Sequence, residues 1–378
     1  MKNNRTFLEK LLDGAEVKWK PLGKVTDIKT GQSVSKNIIA QNPGIYPVIN
    51  SGREPLGFIN EWNTENDPIG ITTRGAGVGS ITWQEGKYFR GNLNYSVTIK
   101  SEYELNVRFL YHILLHFQKE IHNLCSFTGI PALNASELKK LEIPIPPLSV
   151  QTKIVKILDA LTALTSELTS ELTLRRKQYE YYREKLLSHD SSEYSTQKSD
   201  KVKFFHTSNI QWLHLNEIYK FQYGIGNKIP TIGGEYPVYG SNGIVGTHNE
   251  YNSENAPVIG HIGAYAGIVN WAEGKHFVTY NGIICNKIND NVNSRYAYYL
   301  LLSQNFIDKA NKASQPFISY DILNKCIVPV PPLEEQQRIV SILDKFEALT
   351  NSITEGLPLA IEQSQKRYEY YRELLLSF

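Results

Sequence analysis

Two hydrophobic periods alternate along this chain. Short runs rich in β-branched and aromatic residues, such as YPVINSG (46–52), PIGITTRGAG (68–77), SITW (80–83) and NYSVTIK (94–100), are bounded by Gly, Asn and Pro. Such runs predict a mostly β core built from short strands. Apolar residues recurring at three and four predict helices over 106–123 and 294–312, with a short helix over 135–141. A longer pattern starts at Ile154. Steps of four and three reach Leu158, Leu161, Thr165, Leu168, Leu172, Arg175, Tyr179, Tyr182 and Leu186, and eight of these ten positions are apolar. No Gly or Pro interrupts the run, so it reads as a coiled-coil seam on a helix from about 149 to 187. At 1.5 Å per residue that helix is roughly 58 Å long.

The same grammar is written twice. IPIPPLSVQTKIVKILD (143–159) returns as VPVPPLEEQQRIVSILD (328–344), and KQYEYYREKLL (177–187) returns as KRYEYYRELLL (366–376). Upstream, VKWKPLGKVTDIKTG (17–31) matches IQWLHLNEIYKFQYG (210–224), and the ribbon of 68–89 matches that of 257–277. Repeats of this length are too long for a solenoid and predict two pseudo-equivalent halves about an approximate twofold axis. The second seam runs through Ile339, Leu343, Phe346, Ile353 and Tyr371. Its copy carries four extra residues, a stutter that adds one turn, and Gly356 and Pro358 near the insertion predict a kink. Twofold-related helices pack antiparallel. The expected fold is therefore α+β: two pseudo-twofold-related globular domains, mostly β with helices, separated by two long antiparallel coiled-coil helices. The linker 188–203 is polar and expected to be flexible. Leu8-Glu9-Lys10-Leu11-Leu12 echoes Glu184–Leu187 and predicts that the chain's start packs near its end.

Composition narrows the function. The 378 residues are 41% hydrophobic and 21% charged, with a net charge of +2, which disfavours a large non-specific grip on nucleic acid. No run of about 18 apolar residues predicts a membrane span, and MKNNRTFLEKLLDG lacks a signal peptide's apolar core. Cys125, Cys285 and Cys326 are far apart, without disulfide or zinc spacing. A reducing cytoplasm is the expected location.

Catalytic motifs are sparse. GAGVGS (75–80) precedes a strand-like segment and loses glycines in the second copy, so a tight turn is the simpler reading than a nucleotide loop. Glu85-Gly86-Lys87 and Glu273-Gly274-Lys275, with Asp67 upstream, suggest a metal-dependent nuclease, but the second copy lacks a clear acidic match for Asp67. The chain has no GxxxxGK[ST], HExxH or GxSxG. What remains is a pair of modules able to read something. Arg74, Lys87, Arg90 and Asn92 in the first copy, and His261, Lys275 and Asn281 in the second, are the candidate DNA-binding residues. Arg and Lys suit guanine or phosphate, and Asn suits adenine. Solvated hairpin turns are the competing reading for each.

The doubled proline-to-helix signature, ending in YEYYRE, resembles the specificity subunit of type I restriction-modification systems, as do YPVYGSNG (236–243) and the glycine-rich ribbons. That resemblance covers nearly the whole chain. It implies target-recognition domains over 1–148 and 189–333 and spacer helices over 149–188 and 334–378. Each domain is then expected to read half of a bipartite, asymmetric double-stranded DNA site. The helices space the halves and dock two methyltransferase subunits, with endonuclease-translocase subunits joining them. No catalysis and no bound metal or cofactor is expected of this chain. S-adenosylmethionine, ATP and Mg²⁺ belong to the partners. Alternatives are the equivalent subunit of a fused restriction-methylation enzyme, a self-contained metal-dependent nuclease, and a coiled-coil scaffold without a DNA role.

Overall fold

The computed structural model describes residues 7–52, 54–188, 210–226, 229, 232–311, 314–352 and 354–378. The linker expected over 188–203 lies beyond Ser188 and, with Ile353 of the predicted seam, falls outside the described residues. The chain divides into two units, the first made of residues 1–169 and 360–378, the second of 170–359.

In the first unit, the strands Thr26–Thr30, Asn94–Ile99, Ile69–Thr72 and Ile81–Trp83 form one antiparallel sheet. A second sheet orders Phe58–Ile59, Pro43–Ile49, Lys87–Arg90 and Thr64–Glu65, with Val48 beside Phe89 in a parallel pair. The second unit joins the equivalent strands into one six-stranded sheet. Its strands Ser253–Gly260 and Val269–Val278 run unbroken where the first unit has two short pieces each. The parallel pair recurs there as Val238 beside Phe277. The glycines that enter each ribbon match as well. A Cβ on Gly31 would collide with the carbonyls of Arg90 and Gly91, and one on Gly224 with those of Thr279 and Val278. Only glycine allows that approach.

Each proline sentence starts as a strand. Glu142–Ile145 pairs with Lys18–Pro21, setting Trp19 opposite Pro144, and Ile327–Val330 pairs with Gln211–His214, setting Trp212 opposite Pro329. The proline pair then stops the ladder and a helix begins, running over Leu148–Ser188 in the first copy. The predicted seam is buried or half-buried from Ile154 to Leu186, while most positions between face solvent. In the first unit Ile154 and Leu158 share a core with Leu375 and Leu376, against which Tyr371, Leu11, Leu12 and Phe378 pack. The start and end of the chain thus meet in one core. Thr165 and Ser364 meet hydroxyl to hydroxyl at 2.8 Å, so the helices run antiparallel within this unit. In the second unit Tyr179, Leu186 and Leu187 join Ile339 and Leu343, and Tyr182 stacks on Phe346 at 5.7 Å. Leu161, Leu168 and Leu172 are half-buried along the middle of the helix.

The second copy departs from the expected single kinked helix. It is two helices, Leu333–Asn351 and Gly356–Leu376. Gly356 takes φ +76° and lies against the carbonyls of Ala348 and Leu349, where a Cβ would not fit. Pro358 sits in the first turn of the new helix, where its missing N–H costs nothing. The helix predicted over 106–123 is broken at Phe117 into Val107–His116 and Gln118–Asn123, and that over 294–312 into Ser294–Ser303 and Phe306–Lys309. The helix predicted over 135–141 is Ala135–Leu138.

Candidate nucleic-acid interface

Two features locate the candidate interface: the clamp that seats each β domain on its helix, and the glycine-rich ribbon that the clamp orients. In the first unit the buried Gln151, in the first turn of the long helix, accepts from the Asn106 N–H at 2.8 Å and donates to the Pro146 carbonyl at 2.8 Å. Asn106 caps the Val107–His116 helix through its side chain. Gln336 repeats the arrangement, accepting from Asn293 N–H at 2.7 Å and donating to Pro331 at 2.7 Å. Two turns on, Asp159 receives Arg108 and His112, each at 2.8 Å. Asp344 receives Arg295 at 2.9 Å and the Tyr299 hydroxyl at 2.5 Å. Arg108 also covers Trp83, and Arg295 covers Trp271, so the clamp grips the ribbon strand too. Burial lowers the His112 pKa, against the pull of Asp159. Burial and then Asp344 raise that of Tyr299, keeping the phenol protonated as a donor. These roles were signalled by the Gln and Asp identical in both proline sentences, a signal that periodicity alone does not read.

The sequence candidates separate into three groups. Lys87 lies over the Trp62 ring at 4.5 Å with the Glu65 carboxylate 3.9 Å away, and Lys275 lies over Tyr251 at 4.6 Å opposite Glu254. Each lysine is exposed but balanced by a cross-strand glutamate, and the Gly86 and Gly274 turns beside them have φ +71° and +65°. Arg74, Asn92 and Asn281 remain on the ribbon. Arg74 and Asn92 are exposed, and Asn281 is half-buried with its carbonyl held by the His261 N–H at 2.8 Å.

Arg90 and His261 are corrections. Arg90 is 3% exposed, and its guanidinium donates to Asn94 Oδ1 at 2.6 Å, the Tyr95 carbonyl at 3.0 Å, the Asp67 carbonyl at 2.7 Å and the Tyr88 hydroxyl. It is an internal brace between strands, with no donor left facing a base. Burial lowers its pKa. At the matched positions the second unit has Val278 and Ala256, which sit in an apolar cluster with Val258 and Ile284. His261 is 6% exposed, its Nδ1 3.1 Å from the Tyr280 carbonyl and its ring 4.4 Å from Tyr223.

That histidine is the floor of a feature missed in the sequence. Tyr223 stacks on Tyr320 at 4.3 Å, and Tyr280 lies 5.9 Å from Tyr223 and 5.1 Å from His261. The Tyr223 N–H donates to the Tyr320 hydroxyl at 2.8 Å. Burial, and after it the neighbouring phenols, raise the Tyr223 pKa, and burial raises that of Tyr320. The four residues are dispersed over nearly a hundred positions, so no local motif marks them. Shared backbone hydrogen bonds match them to Thr30, Thr73, Asn92 and Ala135 in the first unit: Thr73 N–H donates to Leu93 as His261 N–H does to Asn281, and Leu133 N–H to Thr73 as Ile318 N–H does to His261. One framework therefore carries two different faces.

The nuclease constellation does not assemble. Glu85 accepts from Trp83 Nε1 at 2.9 Å, and the Asp67 carboxylate accepts from Thr98 at 2.8 Å. Among the described residues no group of three or more His, Cys, Asp and Glu is placed to hold a metal ion, and no helix is long and apolar enough to cross a membrane.

The profile of the family described as the type I restriction modification DNA specificity domain matches residues 15–175 and 216–363. A putative type I restriction enzyme specificity subunit of Haemophilus influenzae is 40% identical, with both chains covered completely. The EcoR124I/EcoR124II specificity subunit of Escherichia coli is 31% identical over 99% of this chain and 97% of its own. The fold is similar to the crystal structure of a type I system S subunit from M. genitalium, at TM-score 0.66 and 22% identity, covering 96% of this chain and 97% of that one. The doubled clamp, the two ribbons and these full-length matches agree, and the chain belongs to the type I restriction-modification DNA specificity family.

Proposed function

We propose that each of the two units reads one half of a split, asymmetric double-stranded DNA site. Membership in the family makes this chain the non-catalytic, DNA-specificity member of a type I restriction-modification system. The observation that carries the reading is one clamped framework used twice with different ribbon faces: a polar face around Arg74 and Asn92, an aromatic one around Tyr223 and Tyr280. Matched frameworks hold two readers in the same way, and unmatched faces make the halves of the target differ. The helix Leu148–Ser188 continues from one unit into the other and serves as the spacer between half-sites, as dimer geometry does for other DNA readers. Two methyltransferase subunits and the endonuclease-translocase subunits join it in the cytoplasm and supply S-adenosylmethionine, ATP and Mg²⁺. A net charge of +2 suits a subunit that grips DNA together with such partners.

Co-expression with the cognate methyltransferase subunit, followed by sequencing of modified bases, tests this. A methylated split motif that disappears when this chain is deleted is the expected result, and an unchanged methylome refutes it. Exchanging residues 17–142 for those of another family member should alter one half of the motif and keep the other. If both halves change, the units do not read independently.

A further inference from the structure

We infer that Tyr223, Tyr280 and Tyr320, packed on His261, form the base-contacting platform of the second unit, and that the platform reads thymine through its 5-methyl group. This rests on the DNA-reading function and names the chemistry by which one half-site is read.

The platform is placed where the two units differ on a common frame. Thr30, Thr73, Asn92 and Ala135 occupy its positions in the first unit, so the backbone does not require aromatic residues there. Tyr280 is 45% exposed although it packs beside Tyr223 and His261, and Tyr265, on the adjacent GAYAG turn, is 48% exposed. Both side chains are therefore open to a ligand on the surface ribbon. Their chemistry narrows the base. Guanine O6 and N7 are met by Arg or Lys, adenine N6 and N7 by Asn or Gln, and the cytosine amino group by a carboxylate, whereas the thymine methyl is met by apolar contact. None of the four platform residues is Arg, Lys, Asn, Gln, Asp or Glu, and the next residue after Tyr320 is the acidic Asp321, which disfavours a phosphate. His261 is turned inward to the Tyr280 carbonyl. Thymine, whose methyl projects into the major groove, is the base this surface fits.

The test uses the complex of the full chain with its methyltransferase subunit and a duplex carrying its methylated motif. The second half-site is the half retained when residues 17–142 are exchanged. Replacing thymine by deoxyuridine removes only the methyl. In the second half-site it should weaken binding about fourfold, the loss of one buried methyl contact. Tyr280→Ala should weaken binding to the thymine duplex to a similar degree and abolish the thymine–deoxyuridine difference, and Tyr280→Phe should preserve both affinity and discrimination. A second half-site made only of G·C pairs, equal binding of both duplexes by the wild-type complex, or discrimination that survives Tyr280→Ala would each overturn the inference. Should Tyr280→Ala not fold, Tyr280→Asn, which places there the residue matched in the first unit, decides the same point with the deoxyuridine duplexes, undiminished discrimination counting against the platform. A wild-type complex with no preference for any split duplex removes the proposed function and this inference together.

Discussion

At the residue scale, the same backbone position is solved with a charge in one unit and without one in the other. Arg90 and Asp67 brace the first unit, where Val278 and Ala256 pack the second. Burying charge is costly unless every partner is present, and apolar replacement of a whole pair is often neutral or better. Asp67→Ala should destabilise the first unit by about 1–3 kcal/mol, because it leaves the guanidinium under-compensated. Adding Arg90→Val should deepen the loss, because Asn94, Tyr88 and the Tyr95 carbonyl then lose their donor, and denaturant unfolding of the single and double variants measures it. A double variant as stable as the wild type contradicts this. The histidines set the acid response. Burial holds His112, His116 and His276 below the ordinary imidazole value. In the unfolded chain they titrate near 6.5. Below that pH the unfolded chain binds protons the folded chain refuses, so their stabilisation is complete above about pH 6.5 and is lost as pH falls. Tyr299 fills the place of His112 in the second unit. His112→Tyr should therefore flatten the fall in melting temperature between pH 7.5 and 5.5, and an unchanged slope would show that His112 contributes little to it.

Elements are where the sequence pattern was most legible. The seam could be read because a long uninterrupted helix forces apolar residues onto one stripe, and its described members are buried or half-buried. What the pattern hid was the clamp. Gln151 and Asp159 lie just beside that stripe, and their partners, Asn106 and Arg108, are more than forty residues away. Gln151→Ala should cost about 1–3 kcal/mol, since it strands the Asn106 N–H and the Pro146 carbonyl without a partner. The break after Asn351 was half visible: Gly and Pro marked the place, but not that the helix would stop and restart. Gly356→Ala should cost about 1–2 kcal/mol, because an L-residue resists a positive φ. A thermal melt that does not move would mean the break relaxes freely.

For the whole molecule, the first unit is completed by a helix segment distant in sequence, residues 360–378. Leu375 and Leu376 are buried in the first unit, alongside Leu110 and Ile113. Removing residues 360–378 should therefore unfold the first unit before the second. Hydrogen exchange should rise across the Val107–His116 helix while the Ser294–Ser303 helix stays protected. The reverse order, or equal loss in both, would refute this assignment of the last helix. The sequence by itself determined the duplication, the helical seam and the family, because periodicity and repetition are properties of neighbours along the chain. Tertiary structure alone decided which polar residues face outward. Arg90 and His261 looked like readers until Asp67 and Tyr280 folded over them, and Tyr223, Tyr280 and Tyr320 became one surface only when distant strands met. Burial is set by what the fold brings from far away, and so the choice between brace and reader is made there.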